Sequence, residues 1–435
     1  MPETRPVAAS TQRKVTRRIL PFLLLLYVIA YLDRANVSFA KVSMSADLGF
    51  SEAVYGFGAG VFFLGYFLLE IPGALLVERW SARIWISRIL VTWGICTVCE
   101  GFARTPAQFC LARFCLGLAE AGFFPGVMVY LTHWFPQRDR AGAFSGFILS
   151  VPISFVIGAP LSALCLSLHW LGLPGWRWLF IVQGIPAIVC GLITPFYLTD
   201  RPTNCRWLEA SEREWLSGQL EEEKRAQRSA GSVSVSSAFT DTSVWLLAGA
   251  LFLIVLASYG YIFWLPATIQ KASGLSSAVS TLLSALPFCG AALVVILMGK
   301  SSDRTGERKL HAGVPLLLAA LFFSAATLPY QSFALTALWL TLTGSLLWAW
   351  APSFWVLPTL MLGESAAAAS LGLINAAGGL GGFVGPTAVG YILAAGGSFA
   401  SVIWLLSGAL VAAAVLILFA RVPSVDRGAI GRASE

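Results

Sequence analysis

Charged residues are scarce in this chain. They make up 12% of its 435 residues, where a soluble domain carries about 25%. With 57% of the residues hydrophobic, too few polar groups exist to cover a water-facing surface, which excludes a soluble globular domain. Histidine is rarer still. His133, His169 and His311 are scattered, and neither an HExxH nor a GxSxG motif occurs. A metallohydrolase or serine-hydrolase reading therefore has nothing to stand on, and neither enzymatic activity nor a bound metal is expected. The cysteines exclude little more. Seven of the eight lie in apolar stretches, Cys205 alone being in a polar loop. Cys96 and Cys99 form a CxxC, but inside an apolar run, where small packing residues are expected rather than redox or zinc chemistry.

What is abundant is long apolar runs. A membrane β-barrel would need segments of about ten residues with alternating polarity, and Leu246–Leu256 does not alternate. The runs read instead as twelve membrane helices, at about 19–40, 52–75, 84–103, 107–130, 142–166, 177–199, 243–266, 277–299, 312–330, 333–359, 370–395 and 400–421. The basic tail followed by an apolar run resembles a secretory signal, but the run continues to Ala40 without a small-residue cleavage site, so it reads as a retained first helix.

Orientation follows from the cations. With both termini inside, 23 Lys and Arg fall on inside segments and four (Lys41, Arg104, Arg177, Lys271) on outside ones; Arg34 and Arg113 remain within the membrane. This asymmetry places both termini in the cytoplasm. It also accounts for the net charge of +7 without a nucleic-acid partner. The predicted organisation is a cytoplasmic N-tail (1–18), a six-helix bundle (19–199), a cytoplasmic linker (200–242), a second six-helix bundle (243–421) and a cytoplasmic C-tail (422–435). Within the linker, Glu212–Arg228 reads as an exposed helix followed by a Ser/Gly stretch.

The two bundles share landmarks. After span 2 the chain reads Gly73-Ala-Leu-Leu-Val-Glu78-Arg79-Trp-Ser-Ala-Arg83, and after span 8 Gly299-Lys-Ser-Ser-Asp303-Arg304-Thr-Gly306-Glu-Arg308-Lys309. The glycines are offset by 226 residues and the acid–arginine pairs by 225; Pro160 and Pro386 are again 226 apart. A near-constant offset argues for two homologous halves.

An ionisable group at the bilayer centre costs at least roughly 2.5–3.5 kcal/mol, so such groups are functional candidates. The interior set is Asp33, Arg34, Glu70, Glu100, Arg113 and Glu120. Glu100 is expected to reach the outer interface, and Glu70 to partner cytoplasmic-side groups. Tyr27, Tyr31, Arg34 and Ser38 share one face of span 1, with Asp33 turned about 100° away. Arg113, Gly117, Glu120 and Phe124 share one face of span 4. Asp33 could pair with Arg113, and Arg34 with Glu120, as a purely structural network. Alternatively, an arginine fork binds a substrate carboxylate through two hydrogen bonds, while a carboxyl shielded from water takes up protons more readily. The C-terminal half offers Tyr259, Tyr261, Trp264, Phe354, Trp355 and Asn375 instead of charge.

The loop Gly299-x-x-x-Asp303-Arg304-x-Gly306-x-Arg308-Lys309 resembles the hallmark of the major facilitator superfamily; the first copy departs, with Glu78 for Asp and Ala82 near the second glycine. Tyr31-Leu-Asp33-Arg34-Ala-Asn36, Gly65-Tyr66-Phe67 with Glu70-Ile-Pro72, Arg113 with Glu120-Ala-Gly-Phe-Phe-Pro125, Trp134-Phe135-Pro136, Asp200-Arg201-Pro202 and Asn375 through Pro386 resemble the anion:cation symporter family within it. The resemblance implies an all-α membrane protein of twelve helices in two pseudo-symmetric bundles. It also implies a bacterial inner-membrane location and uptake of a small organic carboxylate by proton symport. On that resemblance Asp33 and Glu120 couple protons, and Tyr31, Arg34, Tyr66 and Arg113 bind substrate, with Tyr259, Trp355 and Asn375 completing the site. Gly73, Glu78, Arg79, Arg83, Gly299, Asp303, Arg304, Gly306 and Arg308 would gate. No cofactor is expected beyond the coupling protons, and the partners expected are the anion and the bilayer, with the protein monomeric. Gly379 stands where hexonate carriers have a second asparagine, and a glutamine is missing around Val151–Ile153; both point to a less hydroxylated or aromatic carboxylate. Proton-coupled drug export and a membrane sensor are the rival readings.

Overall fold

The computed structural model describes residues 4–79, 81–136, 139–140, 143, 150–229, 240–361 and 364–422. Among the described residues the regular structure is helical, with no strand. This is the expected solution for a chain that must satisfy its backbone hydrogen bonds without water. Among the described residues ten helical segments are long and apolar enough to cross a bilayer. Two shorter apolar helices, Ser150–Leu166 and Lys309–Ala325, occupy the places of predicted spans 5 and 9.

The chain divides into two compact units, Met1–Phe50 with Val61–Gly231, and Ser51–Gly60 with Ser232–Glu435. The first is built from α1 (Thr4–Leu48), most of α2 (Glu52–Arg79), α3 (Ala82–Gly101), α4 (Pro106–Glu120), α5 (Phe123–Thr132), α6 (Ser150–Leu166), α7 (Gly175–Tyr197) and α8 (Ala210–Ser229). Its helix starts follow local chemistry. Ser81 caps α3 by accepting from the Ile84 amide, and Thr105 caps α4 ahead of Pro106, satisfying amides that have no partner in the helix. Span 4, expected as one helix, is two. Gly122 takes a left-handed φ of 83° between α4 and α5, a conformation that costs glycine little. The break falls directly after Glu120.

Small residues let α3 and α7 approach closely. A Cβ on Gly184 would lie 2.8 Å from the Gly94 carbonyl oxygen and 2.9 Å from Val98, the close helix contact that membrane interiors favour. The linker helix α8 is docked rather than exposed along its length. Glu212 is buried, accepting from Ser10 at 2.9 Å and pairing with Lys14 at 2.8 Å, and Leu216 and Leu220 are buried beneath it. Burial pushes the Glu212 carboxyl up, but hydrogen bonds from Lys14, the Glu209 amide and Ser10 outweigh it and hold the group below the usual range. The Ser/Gly stretch 230–239 and the C-tail beyond 422 lie outside the described residues.

The second unit contains α9 (Thr242–Ser273), α10 (Ser277–Leu283), α11 (Leu286–Thr305), α12 (Lys309–Ala325), α13 (Phe333–Leu346), α14 (Ala351–Phe354), α15 (Leu357–Met361), α16 (Glu364–Ala394) and α17 (Phe399–Phe419). Predicted spans 8 and 10 are thus interrupted, at Ser284–Ala285 and at Leu347–Trp350 and Trp355–Val356, next to Pro287, Pro352 and Pro358, whose missing amide hydrogens weaken the ladder. The glycines of α16 are contact residues: Gly381 meets the Phe252 carbonyl and Gly385 that of Leu256 on α9. The first residues of α2 pack in this unit too. Gly56 lies against Pro386 and Gly390, the Tyr55 hydroxyl donates to the Phe263 carbonyl at 2.9 Å, and the Trp264 indole donates to Glu52 at 2.9 Å.

Gly184→Val should lower stability by about 1–3 kcal/mol, read as a lower thermal midpoint in detergent. Gly218→Ala, on α8 with open space around its Cα, should leave the midpoint unchanged or raise it slightly.

Candidate functional site

The ionisable residues of unit 1 converge because α2 and α4 touch backbone to backbone. A Cβ on Gly117 would strike the Phe62 carbonyl oxygen, and one on Gly65 the Phe114 carbonyl oxygen. This contact brings Phe62 and Tyr66 against the face of α4 that carries Arg113 and Glu120. On α1, Arg34 meets that cluster. Its Nε and Nη2 both donate to Glu120 Oε1, at 2.8 and 2.5 Å. Its guanidinium carbon lies 5.0 Å from the Tyr31 ring centre, 5.1 Å from Tyr66 and 5.4 Å from Phe62. Tyr31, Arg34, Tyr66 and Glu120 are therefore one assembly, a cation held by one carboxylate and three aromatic faces. Glu120 is fully buried and its Oε2 makes no hydrogen bond among the described residues, whereas Arg34 remains partly accessible, with 11% side-chain exposure.

Asp33 faces elsewhere. It is fully buried and accepts, through Oδ2, the indole N–H of Trp93 on α3; Oδ1 is buried without a hydrogen bond. Arg113 is fully buried, 5.1 Å from the Phe62 ring centre. Its carboxylate neighbour is Glu100, at 3.7 Å from Nη1 to Oε1. The two side chains form an ion pair too long for a hydrogen bond, and neither makes one among the described residues. Glu100, expected near the outer interface, is thus a buried partner of Arg113. The pairing Arg34–Glu120 is present as read from the sequence; Asp33–Arg113 is not, and Asp33 takes an indole instead.

Trp93 and Phe62 are not among the sequence candidates, and Glu100 is one that the sequence assigns to the outer interface. Trp93, Thr97 and Glu100 follow the same four-then-three spacing used for spans 1 and 4, and all three are fully buried, so the signal lay in the sequence. A second layer of rings surrounds the charges. Tyr27 lies 5.0 Å from Tyr31 and 5.9 Å from Phe124, and Phe123 lies 5.4 Å from Trp93; the Gly122 break aims Phe123 and Phe124 inward. Buried polar atoms without partners are uncommon, yet among the described residues Asp33, Glu100, Arg113 and Glu120 together carry seven of them, so the cluster keeps donors and acceptors open.

In unit 2, Tyr259 on α9 is buried 5.4 Å from Phe263, Trp355 is half-buried 5.6 Å from Phe354, and Asn375 is half-buried on α16. The loop residues differ in kind. Arg83 pairs with Asp200 at 3.3 Å, and its amide and the Ser81 hydroxyl donate to the same carboxylate at 3.0 and 2.7 Å. Asp303 pairs with Arg308 at 2.6 Å. Gly306 ends α11 with a left-handed φ of 70°, which explains its glycine. Arg304 lies in the last turn of α11, and Gly299 in that helix is in ordinary contact with Pro352. Gly73, Glu78 and Arg79 lie on α2 where side chains are outside the described residues.

The family model described as Major Facilitator Superfamily matches residues 23–386. A putative tartrate transporter of Agrobacterium vitis is 42% identical over 407 residues, covering 93% of each chain. A quinolone resistance transporter of Acinetobacter baumannii is 37% identical, covering 91% of each. Among solved structures, a D-xylose-proton symporter superposes with a TM-score of 0.73 at 16% identity, covering 94% of this chain and 98% of the other.

Removing one partner of a buried pair leaves an uncompensated charge, whereas replacing both does not. Glu100→Ala should therefore cost about 3–5 kcal/mol, and the double variant Glu100→Ala/Arg113→Leu should recover much of that loss, both measured as thermal midpoints of the purified protein.

Proposed function

Because the chain belongs to the Major Facilitator Superfamily, and is a multi-pass membrane transporter rather than an enzyme, we propose that it imports a small organic carboxylate together with protons by alternating access. The observation that carries this reading is the Arg34–Glu120 pair, in which a partly accessible guanidinium fork is held by a fully buried carboxylate. With Glu120 ionised the pair is neutral and Arg34 is occupied. A proton on Glu120 removes the charge that holds Arg34, and an incoming carboxylate takes the place of the Glu120 carboxylate on the same fork. The loaded assembly is again neutral, so no net charge is added to the apolar interior. Tyr31 and Tyr66, whose rings already flank Arg34, supply hydroxyls and faces for the substrate. Asp33, which accepts from the Trp93 indole, is the second proton site, and Arg113, paired with Glu100 beside the cluster, is the second substrate arginine. In unit 2, Tyr259, Trp355 and Asn375 are proposed substrate contacts.

The nine loop residues are proposed to act on turnover, by holding helix ends in one access state. The Arg83–Asp200 and Asp303–Arg308 pairs are the bonds that such a switch would break. The cation asymmetry supports both termini in the cytoplasm of a bacterial inner membrane, with the protein acting as a monomer. The relative named a tartrate transporter supports a carboxylate substrate, and the span 5 and span 11 departures favour one less rich in hydroxyls. The relative named a quinolone resistance transporter favours export as the second reading; two arginines in the site disfavour cationic cargo.

In proteoliposomes with an alkaline interior, the wild-type protein should accumulate a carboxylate from a panel that includes tartrate. Asp33→Asn should equilibrate that substrate without accumulating it; wild-type accumulation by this variant would sink the proposed proton role. Arg34→Lys keeps the charge but loses the fork, and should weaken substrate binding by about tenfold or more. Efflux driven by the same gradient would favour the export reading.

A further inference from the structure

One cavity of unit 1 lies away from the buried charges. It holds about 580 Å³ at the end of α7 where the chain enters the linker, and its walls include Arg18, Arg83, Tyr197, Asn204, Arg206 and Trp207. Three arginines and one acid, Asp200, line it. Asp200 is already neutralised by Arg83, Ser81 and the Arg83 amide. The other two arginines have no carboxylate partner among the described residues. Arg18 is clamped in place. Its guanidinium carbon lies 5.0 Å from the Tyr197 ring centre and 5.3 Å from Trp207, its carbonyl accepts from the Tyr197 hydroxyl at 3.0 Å, and its Nε is buried without a hydrogen bond. Trp207 is in turn stacked on Trp134 at 5.3 Å and 17°. A preorganised guanidinium and a second, exposed arginine thus face an open cavity, both without a carboxylate among the described residues.

One wall of the cavity continues into an apolar track. Phe196, which lines the cavity, is 89% exposed, and Ile185, Val189 and Leu192 precede it on the same face of α7, each between 47% and 60% exposed. The spacing of four, three and four residues keeps them in line. From Ile185 to Phe196 the track runs about 16 Å, the depth of one leaflet of hydrocarbon. A soluble anion would need the arginines alone; a cationic pocket at the foot of a leaflet-long apolar track fits a headgroup and its acyl chain.

We propose that this cavity binds the phosphodiester of an anionic phospholipid, with Arg18 and Arg206 on the phosphate, Asn204 on the headgroup hydroxyls and an acyl chain along Ile185–Phe196. The shared chemistry with a free phosphate is the two arginines, and the track selects the lipid. Only the naming of the leaflet rests on the proposed orientation, which makes it the cytoplasmic one; the cavity is independent of the transport reading.

The test is native mass spectrometry of the full-length protein released from nanodiscs of phosphatidylglycerol or phosphatidylethanolamine, with glycerol 1-phosphate as the soluble competitor. Phosphatidylglycerol should be retained in preference. Arg18→Gln and Arg206→Gln should each weaken its retention about fivefold, while Arg13→Gln, exposed on α1 away from the cavity, should not. Arg206 is exposed, so its variant reads the site even where Arg18→Gln fails to fold. Equal retention of the two lipids, unchanged retention in both cavity variants, or competition by glycerol 1-phosphate at the affinity of the lipid would overturn the proposal.

Discussion

A charge placed in an apolar interior has to be matched there, and unit 1 is arranged around that requirement. Three arrangements hold the charges of its site: Arg34 with Glu120, Arg113 with Glu100, and Asp33 with the Trp93 indole. The helix contacts follow from these sets. Gly117 and Gly65 are needed so that α2 can press its rings against α4, and Gly122 is needed so that α4 can end beside Glu120 while Phe123 and Phe124 turn back toward the charges. Such networks rarely add net stability over apolar packing. Their presence is therefore better explained by what the charges do than by what they hold together.

The three sets are not equivalent. The Arg34–Glu120 pair has close donors and an accessible edge, the arrangement that the proposed exchange of one carboxylate for another requires. The Arg113–Glu100 pair is fully enclosed and makes no hydrogen bond among the described residues, so a ligand reaching Arg113 would first have to part it from Glu100. Asp33 has a neutral partner, which leaves its carboxylate as the group whose protonation changes the charge of the interior most directly. This division of labour is what the proposed symport cycle draws upon.

The all-helical membrane fold is legible in the sequence, because apolar runs and cation asymmetry are direct consequences of the bilayer as solvent. So is the Arg34–Glu120 pairing, since both residues occupy inward faces set by helical spacing. The interruptions were less legible. Span 4 reads as continuous because Ala121 and Gly122 are compatible with a helix, and only the left-handed φ at Gly122 reveals the break. Glu100 was placed by its distance from the span end, yet Arg113 on the next helix draws it inward. The docking of α8 was hidden because Glu212 looks solvated in sequence, and its partners Ser10 and Lys14 lie about two hundred residues away. Pairings across such distances are set by tertiary packing, which no local pattern records.

The central claim is that Glu120 and the substrate compete for one guanidinium. Linkage then requires substrate binding to draw a proton onto the protein. Proton uptake measured on adding a carboxylate to weakly buffered purified protein tests this directly. The account predicts about one proton taken up per carboxylate bound by the wild type through this exchange, and that proton missing in Glu120→Gln while carboxylate binding persists. Binding without proton uptake in the wild type, or undiminished uptake in Glu120→Gln, would contradict it.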